Sequence, residues 1–225
     1  MPNNLEFKRK FDSIAENYDS ISNPYTVKRR SDALKVNFAK LILDAGSGSG
    51  LVTESHNSTI VSSDFSFEMC KESKKRHDLV VCCDAEFLPF KEDVFDAVIS
   101  AEMIYYLQEP QNFISYSKKI LKDNGLLLFT FPNEDMTIID KARAVLRKMG
   151  FSKMYFDDGV RNFTKIDHLK SMLKDNNFKI ISIDKQVLFP FSSLDGINRA
   201  LEKTPLNHFS IFIVIRAEAQ KNISC

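Results

Sequence analysis

Apolar residues form two kinds of pattern along this chain. In the first forty residues they recur every three or four positions, which predicts two helices, over residues 7–18 and about 26–40. The basic stretch 28–30 of the second helix is expected to face water. From Leu41 onwards short continuous apolar runs appear, and such runs are typical of parallel strands that are covered on both faces. The change of pattern predicts that a helical segment precedes a sheet.

Apolar runs and helical stripes then alternate to the end of the chain. This alternation predicts an α/β fold with a mainly parallel sheet, and 225 residues fit one domain. The predicted strands are residues 41–43, 59–63, 79–83, 95–100, 126–131, 179–188 and 209–217. The predicted helices between them are residues 51–56, 69–76, 111–122, 136–149, 164–175 and 191–203.

A glycine-rich stretch follows the first predicted strand, and the sequence of residues 41–50 is LILDAGSGSG. Gly46, Gly48 and Gly50 occupy alternate positions, where glycine allows the backbone to turn sharply and to approach a ligand closely. Asp44 lies at the carboxyl end of the strand, which is where open α/β sheets bind ligands. The stretch therefore predicts a nucleotide-type site.

The spacing of these glycines disfavours two common nucleotides. The dinucleotide fingerprint G-x-G-x-x-G would place its third glycine where Leu51 stands, which argues against NAD. A phosphate-binding loop needs a lysine after its glycines, and residues 41–70 contain none, which argues against ATP. An adenosyl ligand without phosphates fits the motif, and a glycine-serine loop without any ligand is the alternative.

Two further acids follow the next two predicted strands. Asp64 comes twenty residues after Asp44, the step at which an acid meets ribose hydroxyls in nucleotide-binding sheets. A carboxylate accepts two hydrogen bonds at once, and a vicinal diol supplies two. Asp84 follows the third strand in the same way. The alternatives are that Asp64 only caps a helix and that Asp84 only forms a turn.

Composition narrows the range of partners. A net charge of +1 provides no positive surface for nucleic acid or an anionic membrane, so neither partner is expected. No apolar run approaches the roughly 20 residues of a membrane span, and the N-terminus lacks the apolar centre of a signal peptide, which favours a cytoplasmic location. The four cysteines match no metal-binding pattern, and Cys82 and Cys83 are expected to be small residues of a buried strand.

Taken in order, these features resemble the class I S-adenosylmethionine-dependent methyltransferases, in particular the small-molecule enzymes of the ubiquinone, menaquinone and biotin pathways. The resemblance is carried by FDSIAENYDSIS at 11–22, DFSFEM at 64–69, DAEFLPF at 84–90 and LKDNGLLLFTFPN at 121–133. It implies a doubly wound, Rossmann-like sheet of seven strands in the order 3-2-1-4-5-7-6, with the last strand antiparallel beside the fifth. It also implies a single domain over residues 1–225, with three parts. These are an N-terminal helical cover (residues 1–40), a cofactor-binding half (residues 41–131) and an acceptor-side half (residues 132–225).

The resemblance also assigns residues to the site. The implied cofactor contacts are Asp44, Ala45, Gly46, Ser47, Gly48, Gly50, Asp64, Phe65, Asp84, Ala85 and Ala101. Asp84 would accept from the adenine amino group while the Ala85 N–H donates to the ring. Tyr18 and Tyr105 are candidate pocket residues, with packing in the core as the alternative for each. Many relatives carry histidine where this chain has Tyr105 and Tyr106, and tyrosine is a poor general base at neutral pH.

The function implied is methyl transfer from S-adenosylmethionine to an oxygen, carbon or nitrogen of a small-molecule acceptor, with S-adenosylhomocysteine as product and no metal. The aromatic stretch 151–163 is a candidate substrate lid. The second hypothesis is an S-adenosylmethionine-binding regulator or scaffold without turnover. It is supported by the short helix predicted over residues 51–56 and by the absence of histidine at positions 105 and 106. A protein or RNA methyltransferase is the third. Nothing in the sequence assigns an oligomeric state.

Overall fold

Seven strands form one sheet in the computed structural model, which describes residues 4–133 and 165–221. The strands are β1 (Leu41–Ala45), β2 (Thr59–Asp64), β3 (Leu79–Cys82), β4 (Phe95–Ala101), β5 (Leu121–Pro132), β6 (Phe178–Gln186) and β7 (Phe212–Ala219). Their order is β3-β2-β1-β4-β5-β7-β6, and β7 runs antiparallel to both β5 and β6. The predicted fold class and strand order are therefore confirmed.

Helices surround this sheet and bury its apolar strands. They are α1 (Asn4–Ile14), α2 (Tyr18–Ile21), α3 (Pro24–Leu34), α4 (Phe67–Ser73), α5 (Pro110–Ile120), α6 (Ile166–Asp175) and α7 (Asp195–Leu201). The central strands are covered on both sides, so Ile42 and Leu43, which point to opposite faces of β1, are both completely buried. The order of strands changes direction between β1 and β4, and this is the point at which sheets of this type bind ligands.

The two N-terminal helical segments differ in detail from the prediction. The first bends through a short 3₁₀ turn, Ala15–Asn17, before α2. The second begins where the Asn23 side chain accepts hydrogen bonds from two backbone N–H groups, and it ends at Leu34 instead of residue 40. Phe38, which falls within the predicted helix, lies beyond the observed one and is 68% exposed.

The helix predicted over residues 51–56 is absent, which corrects that prediction. The glycine loop instead continues as three linked turns, in which Gly50 N donates to Ser47 O, Thr53 N to Gly50 O and His56 N to Thr53 O. A loop this short leaves no room for an amphipathic helix before β2. No helix N-terminus therefore faces the glycine loop from residues 51–56.

Strand β3 is the edge of the sheet, which corrects the expectation that it is buried. It pairs with β2 on one side, and Leu79 is 46% exposed. Cys82 is exposed and Cys83 is partly buried, so they are not core residues of a covered strand. The apolar run alone cannot distinguish an edge strand from a central one.

Arg29 was expected to face water with its neighbours, but it is 5% exposed. Its guanidinium forms ion pairs with Glu202 at 2.8 Å and with Asp195 at 3.1 Å. It also donates to the Tyr25 hydroxyl at 3.0 Å. The cationic side chain is therefore buried because carboxylates from the far end of the chain pair with it, and α3 is fixed to the segment around α7.

Three other predictions fall wholly or partly outside the residues that the structure describes. The helix at 136–149 and the candidate lid at 151–163 lie outside the described residues. The helix predicted over residues 164–175 begins at Ile166, and residue 164 is also outside them.

The buried ion pair gives a stability prediction. Arg29→Met should lower the free energy of unfolding by about 3–5 kcal/mol, because Glu202, whose side chain is 15% exposed, loses the cation that compensates its burial. Lys28→Met is the matched control, since Lys28 makes an exposed pair with Asp32 and its loss should change stability by less than about 1 kcal/mol. Urea unfolding of the three proteins measures both values. Equal effects of the two substitutions would show that the Arg29 network adds no stability.

Candidate active site

A cavity of about 300 Å³ lies at the carboxyl ends of β2, β1 and β4, under the N-terminal helices. This volume is at the lower end of the range of small-molecule sites, about 300–1,000 Å³. Most of the residues that the sequence assigned to the site belong to its wall. They are Tyr18, Gly46, Gly48, Asp64, Phe65, Asp84, Ala85, Ala101 and Tyr105. Residues from distant parts of the sequence are therefore brought together here.

The remaining four assigned residues stand behind this wall. They are Asp44, Ala45, Ser47 and Gly50, which are absent from the lining of the cavity. Asp44 is 1% exposed and its carboxylate accepts from the Thr53 hydroxyl at 2.7 Å. The Thr53 hydroxyl also lies 3.2 Å from Nε2 of His77. This geometry makes Asp44 a support of the glycine loop, and its contact with a ligand stays a prediction.

The glycine at position 46 lies too close to its neighbours for any side chain. A Cβ built there would stand 2.3 Å from Cγ of Met103, and the φ angle of Gly46 is +67°. Both the contact and the left-handed backbone exclude other residues without rearrangement. Gly46 therefore lets the loop after β1 pack directly against the segment that follows β4.

Asp64 joins two loops of the site through its carboxylate. Oδ2 accepts from Gly48 N at 2.8 Å, and Oδ1 accepts from Ser66 N at 2.8 Å. Burial raises the pKa of Asp64 above its usual value of 3.8, while these two backbone donors oppose the rise. A carboxylate has about four lone-pair sites, so lone pairs on both oxygens stay available to donors in the cavity. The group is thus oriented by the backbone and suited to a vicinal diol.

Asp84 lines the cavity and also caps a short helix. Its Oδ1 accepts from Glu86 N at 2.9 Å, at the start of the 3₁₀ helix Ala85–Phe87. The turn-forming role given as the alternative for Asp84 is therefore present in the structure, where its side chain also caps this short helix. A role in binding is compatible with it, because Asp84 and Ala85 both belong to the cavity wall.

The N-terminal helices cover the cavity with aromatic rings. The Phe11 ring packs edge-on against Tyr106 at 5.3 Å and against Tyr18 at 6.4 Å. Two acids of this cover bond to the loops beneath. Asp12 accepts from the Ser66 hydroxyl at 2.6 Å, and Asp19 accepts from the Ser49 hydroxyl at 2.5 Å. The cover is therefore attached beside both the β1 loop and the β2 loop.

Several polar residues of the wall were not predicted from the sequence, among them Arg30, Glu102 and Asn133. Glu102 directly follows Ala101, so its position at the end of β4 was a signal that could have identified it. Arg30 was interpreted as part of a solvated face, but its side chain is mostly buried and faces the cavity. Asn133 follows β5 and donates to the backbone carbonyls of His208 and Ser210.

Comparisons with known proteins agree with this arrangement. The family model of a methyltransferase domain matches residues 43–129. An uncharacterised protein of Methanocaldococcus jannaschii is 28% identical over 92% of this chain and 98% of its own length. A malonyl-[acyl-carrier protein] O-methyltransferase of Herminiimonas arsenicoxydans is 31% identical, over 53% of this chain and 48% of its own length. The crystal structure of an S-adenosylmethionine-dependent methyltransferase from Thermotoga maritima has a TM-score of 0.70 at 16% identity, covering 94% of this chain and 99% of that one.

The described residues contain neither a metal-binding cluster nor a membrane-spanning helix. Within residues 4–133 and 165–221, no group of three or more histidine, cysteine, aspartate or glutamate side chains could hold a metal ion. Over the same ranges, no helix is long and apolar enough to cross a membrane.

The buried acid beneath the loop gives a pH-dependent prediction. Burial raises the pKa of Asp44 to about 7, and the nearby Asp64 adds to the shift. Because the folded pKa lies above the unfolded value of 3.8, the folded state binds more protons between about pH 4 and pH 7, and stability falls as pH rises through that window. Asp44→Asn cannot ionise, so its stability relative to the wild type should increase by about 1–4 kcal/mol between about pH 5 and pH 8.

Urea unfolding at a series of pH values measures this difference. Asp78→Asn serves as the control, because Asp78 is exposed and its replacement should shift stability equally at every pH. A difference between Asp44→Asn and the wild type that is constant between about pH 5 and pH 8 would show that burial does not raise the pKa of Asp44.

Proposed function

We propose that this chain, which belongs to the class I S-adenosylmethionine-dependent methyltransferases, transfers a methyl group to a small organic acceptor. The proposal rests on one observation, a single cavity. Its wall combines the glycine loop after β1, a carboxylate that the backbone orients and a second acid at the end of the next strand. In this cavity Gly46, Asp64 and Asp84 come from the ends of β1, β2 and β3. The wall thus offers a different residue for each part of a nucleoside.

The wall residues carry the hydrogen-bond acceptors and donors that S-adenosylmethionine would need. We assign Asp64 to the two ribose hydroxyls, because it retains lone pairs on both oxygens. We assign Asp84 and the Ala85 N–H to the adenine edge, since a buried purine edge needs both an acceptor and a donor. Because Gly46 and Gly48 carry no side chain, their backbone atoms form part of the cavity wall. S-adenosylmethionine supplies a methyl group on a positively charged sulfonium, and that charge is lost when the methyl is transferred.

The chain's own contribution is to position the acceptor and to exclude water. Holding two reacting atoms about 3–3.5 Å apart and in line can lower the barrier by several kcal/mol. The aromatic cover suits both tasks, because Phe7, Phe11 and Tyr106 close the cavity with ring edges and faces. The faces of Tyr18 and Tyr105 can also attract a cation. No acid catalyst is needed for a leaving group that becomes neutral.

A small acceptor is favoured over a nucleic acid by charge. The chain has 31 basic and 30 acidic side chains, and phosphate backbones are bound by an excess of basic ones. The relative from Herminiimonas arsenicoxydans carries the name of an O-methyltransferase that acts on an acyl-carrier protein, so an acyl-carrier substrate belongs in any test.

A binding module without turnover is the second candidate. It is favoured by Tyr105 and Tyr106, which by family resemblance occupy positions where many relatives have histidine. It is also favoured by the turns that replace the helix predicted over residues 51–56. Incubation with methyl-labelled S-adenosylmethionine and a panel of phenols, quinones, amines, carboxylic acids and acyl-carrier substrates separates the two. Labelled product supports the enzyme. Tight binding of the cofactor with no labelled product on any class supports the module.

Loss of the ribose acid should weaken nucleoside binding. Asp64→Ala should reduce the affinity for S-adenosylhomocysteine by about 1–3 kcal/mol, because two hydrogen bonds to the ribose are lost. Titration calorimetry measures the affinity directly, and circular dichroism checks that the variant is folded. Asp78→Ala, at an exposed position, is the control and should bind as the wild type does. Unchanged affinity in Asp64→Ala would mean that the ribose lies elsewhere.

A further inference from the structure

Glu102 is a carboxylate in the cavity to which the cofactor assignments give no role. It directly follows β4, lines the cavity, and has a φ angle of +58°, a conformation that is uncommon for residues other than glycine. Its backbone N–H donates to the Thr130 hydroxyl at 3.2 Å, and the same hydroxyl donates to Oε1 of Glu102 at 3.0 Å. Thr130 is completely buried. The carboxylate is therefore held at one place by a buried side chain.

The order of strands determines where Glu102 lies relative to the glycine loop and Asp64. Along the sheet, Asp64 ends β2, Gly46 follows β1, and Glu102 follows β4. Neighbouring strands are about 4.8 Å apart, which places Glu102 one strand beyond the glycine loop and about 10 Å from the ribose acid. The Met103 side chain packs on Gly46, so this segment borders the loop directly. Further along, the wall continues to Asn133 after β5, which is the side away from the nucleoside.

The two oxygens of Glu102 differ in their partners. Oε1 accepts from Thr130 and lies 3.5 Å from Nε of Arg30. That Nε atom is buried and has no hydrogen-bond partner in the part of the chain that the structure describes. Among residues 4–133 and 165–221, Oε2 is approached by the Tyr105 hydroxyl at a long 3.5 Å. Oε2 therefore has capacity for a good hydrogen bond from a donor inside the cavity.

We propose that Glu102 binds the acceptor through its reacting group, which is consequently an amine or a hydroxyl rather than a carboxylate or a carbon. This inference rests on the proposed function and specifies its substrate class. An amine or a hydroxyl can donate to Oε2, whereas a carboxylate acceptor would place two anions side by side, and a carbon nucleophile has no donor of this kind.

The proposed step balances in atoms and charge. The acceptor nitrogen or oxygen uses a lone pair to form its bond to the methyl carbon, while the carbon–sulfur bond breaks and leaves its electron pair on sulfur. The hydrogen of the acceptor passes as a proton to Oε2 of Glu102 and then to water. Arg30 is a positioning residue, since its cation lies beside Oε1 and leaves Oε2 directed to the acceptor.

The first test needs no acceptor, because a carboxylate near the reacting group must favour the cationic cofactor over its neutral product. Titration calorimetry compares the affinities for S-adenosylmethionine and S-adenosylhomocysteine in the wild type, in Glu102→Gln and in the exposed control Glu92→Gln. In Glu102→Gln the affinity for S-adenosylmethionine should fall about threefold to tenfold relative to that for S-adenosylhomocysteine, because the anion is lost and the Arg30 cation stays. An unchanged ratio of affinities overturns the proposal.

The second test uses the labelled methyl group with primary amines, phenols and carboxylic acids. The wild type should label amines or phenols, and Glu102→Gln should lower kcat on them about a hundredfold or more while its affinity for S-adenosylhomocysteine stays within about twofold. Preferred labelling of carboxylic acids, or an unchanged kcat, overturns the proposal. If no compound is labelled, the ratio of affinities decides.

Glu102→Asp separates charge from folding. It keeps the carboxylate, so it should retain the preference for the cationic cofactor that Glu102→Gln loses. Loss of S-adenosylhomocysteine binding in both variants would make Glu102 a structural residue and overturn the proposal. A wild type that binds neither cofactor nor product would instead contradict the proposed function itself.

Discussion

A partly buried carboxylate shared between two backbone loops is the contact on which this site depends. Asp64 accepts from Gly48 in the loop after β1 and from Ser66 in the loop after β2, so it fixes the two strand ends relative to each other. Burial raises its pKa, which means that the surroundings do not fully compensate its charge. A ligand that donates hydrogen bonds to the carboxylate would supply the missing compensation, and the same group is therefore both structural and suited to binding.

The regions outside the sheet are organised around this contact. Asp12 and Asp19 attach the N-terminal cover to the loops beside Asp64, and Arg29 attaches the same region to carboxylates near the C-terminus. The cover is thus attached to the rest of the protein by charged groups on both its helical segments. The Asp12 and Asp19 side chains are 26% and 36% exposed, whereas Arg29 is 5% exposed, so the Arg29 network is the most deeply buried of these attachments.

Local features of the sequence predicted the fold and much of the site. The glycine spacing after Asp44 and the acid twenty residues later depend on a few neighbouring residues, and the acid Asp64 lies in the wall as expected. The missed residues depend on distant partners. Arg29 is buried because Glu202 approaches it, and the exposure of β3 follows from its place at the sheet edge. Glu102 gains its environment from Thr130, and nothing near it in the sequence reveals that hydroxyl.

The central claim is that one cavity holds the nucleoside across the ends of β1, β2 and β3. A crystal structure with bound S-adenosylhomocysteine tests it most directly. We expect both ribose hydroxyls within hydrogen-bonding distance of Asp64, the adenine edge against Asp84 and Ala85, and the sulfur on the Glu102 side of the glycine loop. A nucleoside bound outside this cavity, or one whose ribose makes no contact with Asp64, would contradict it.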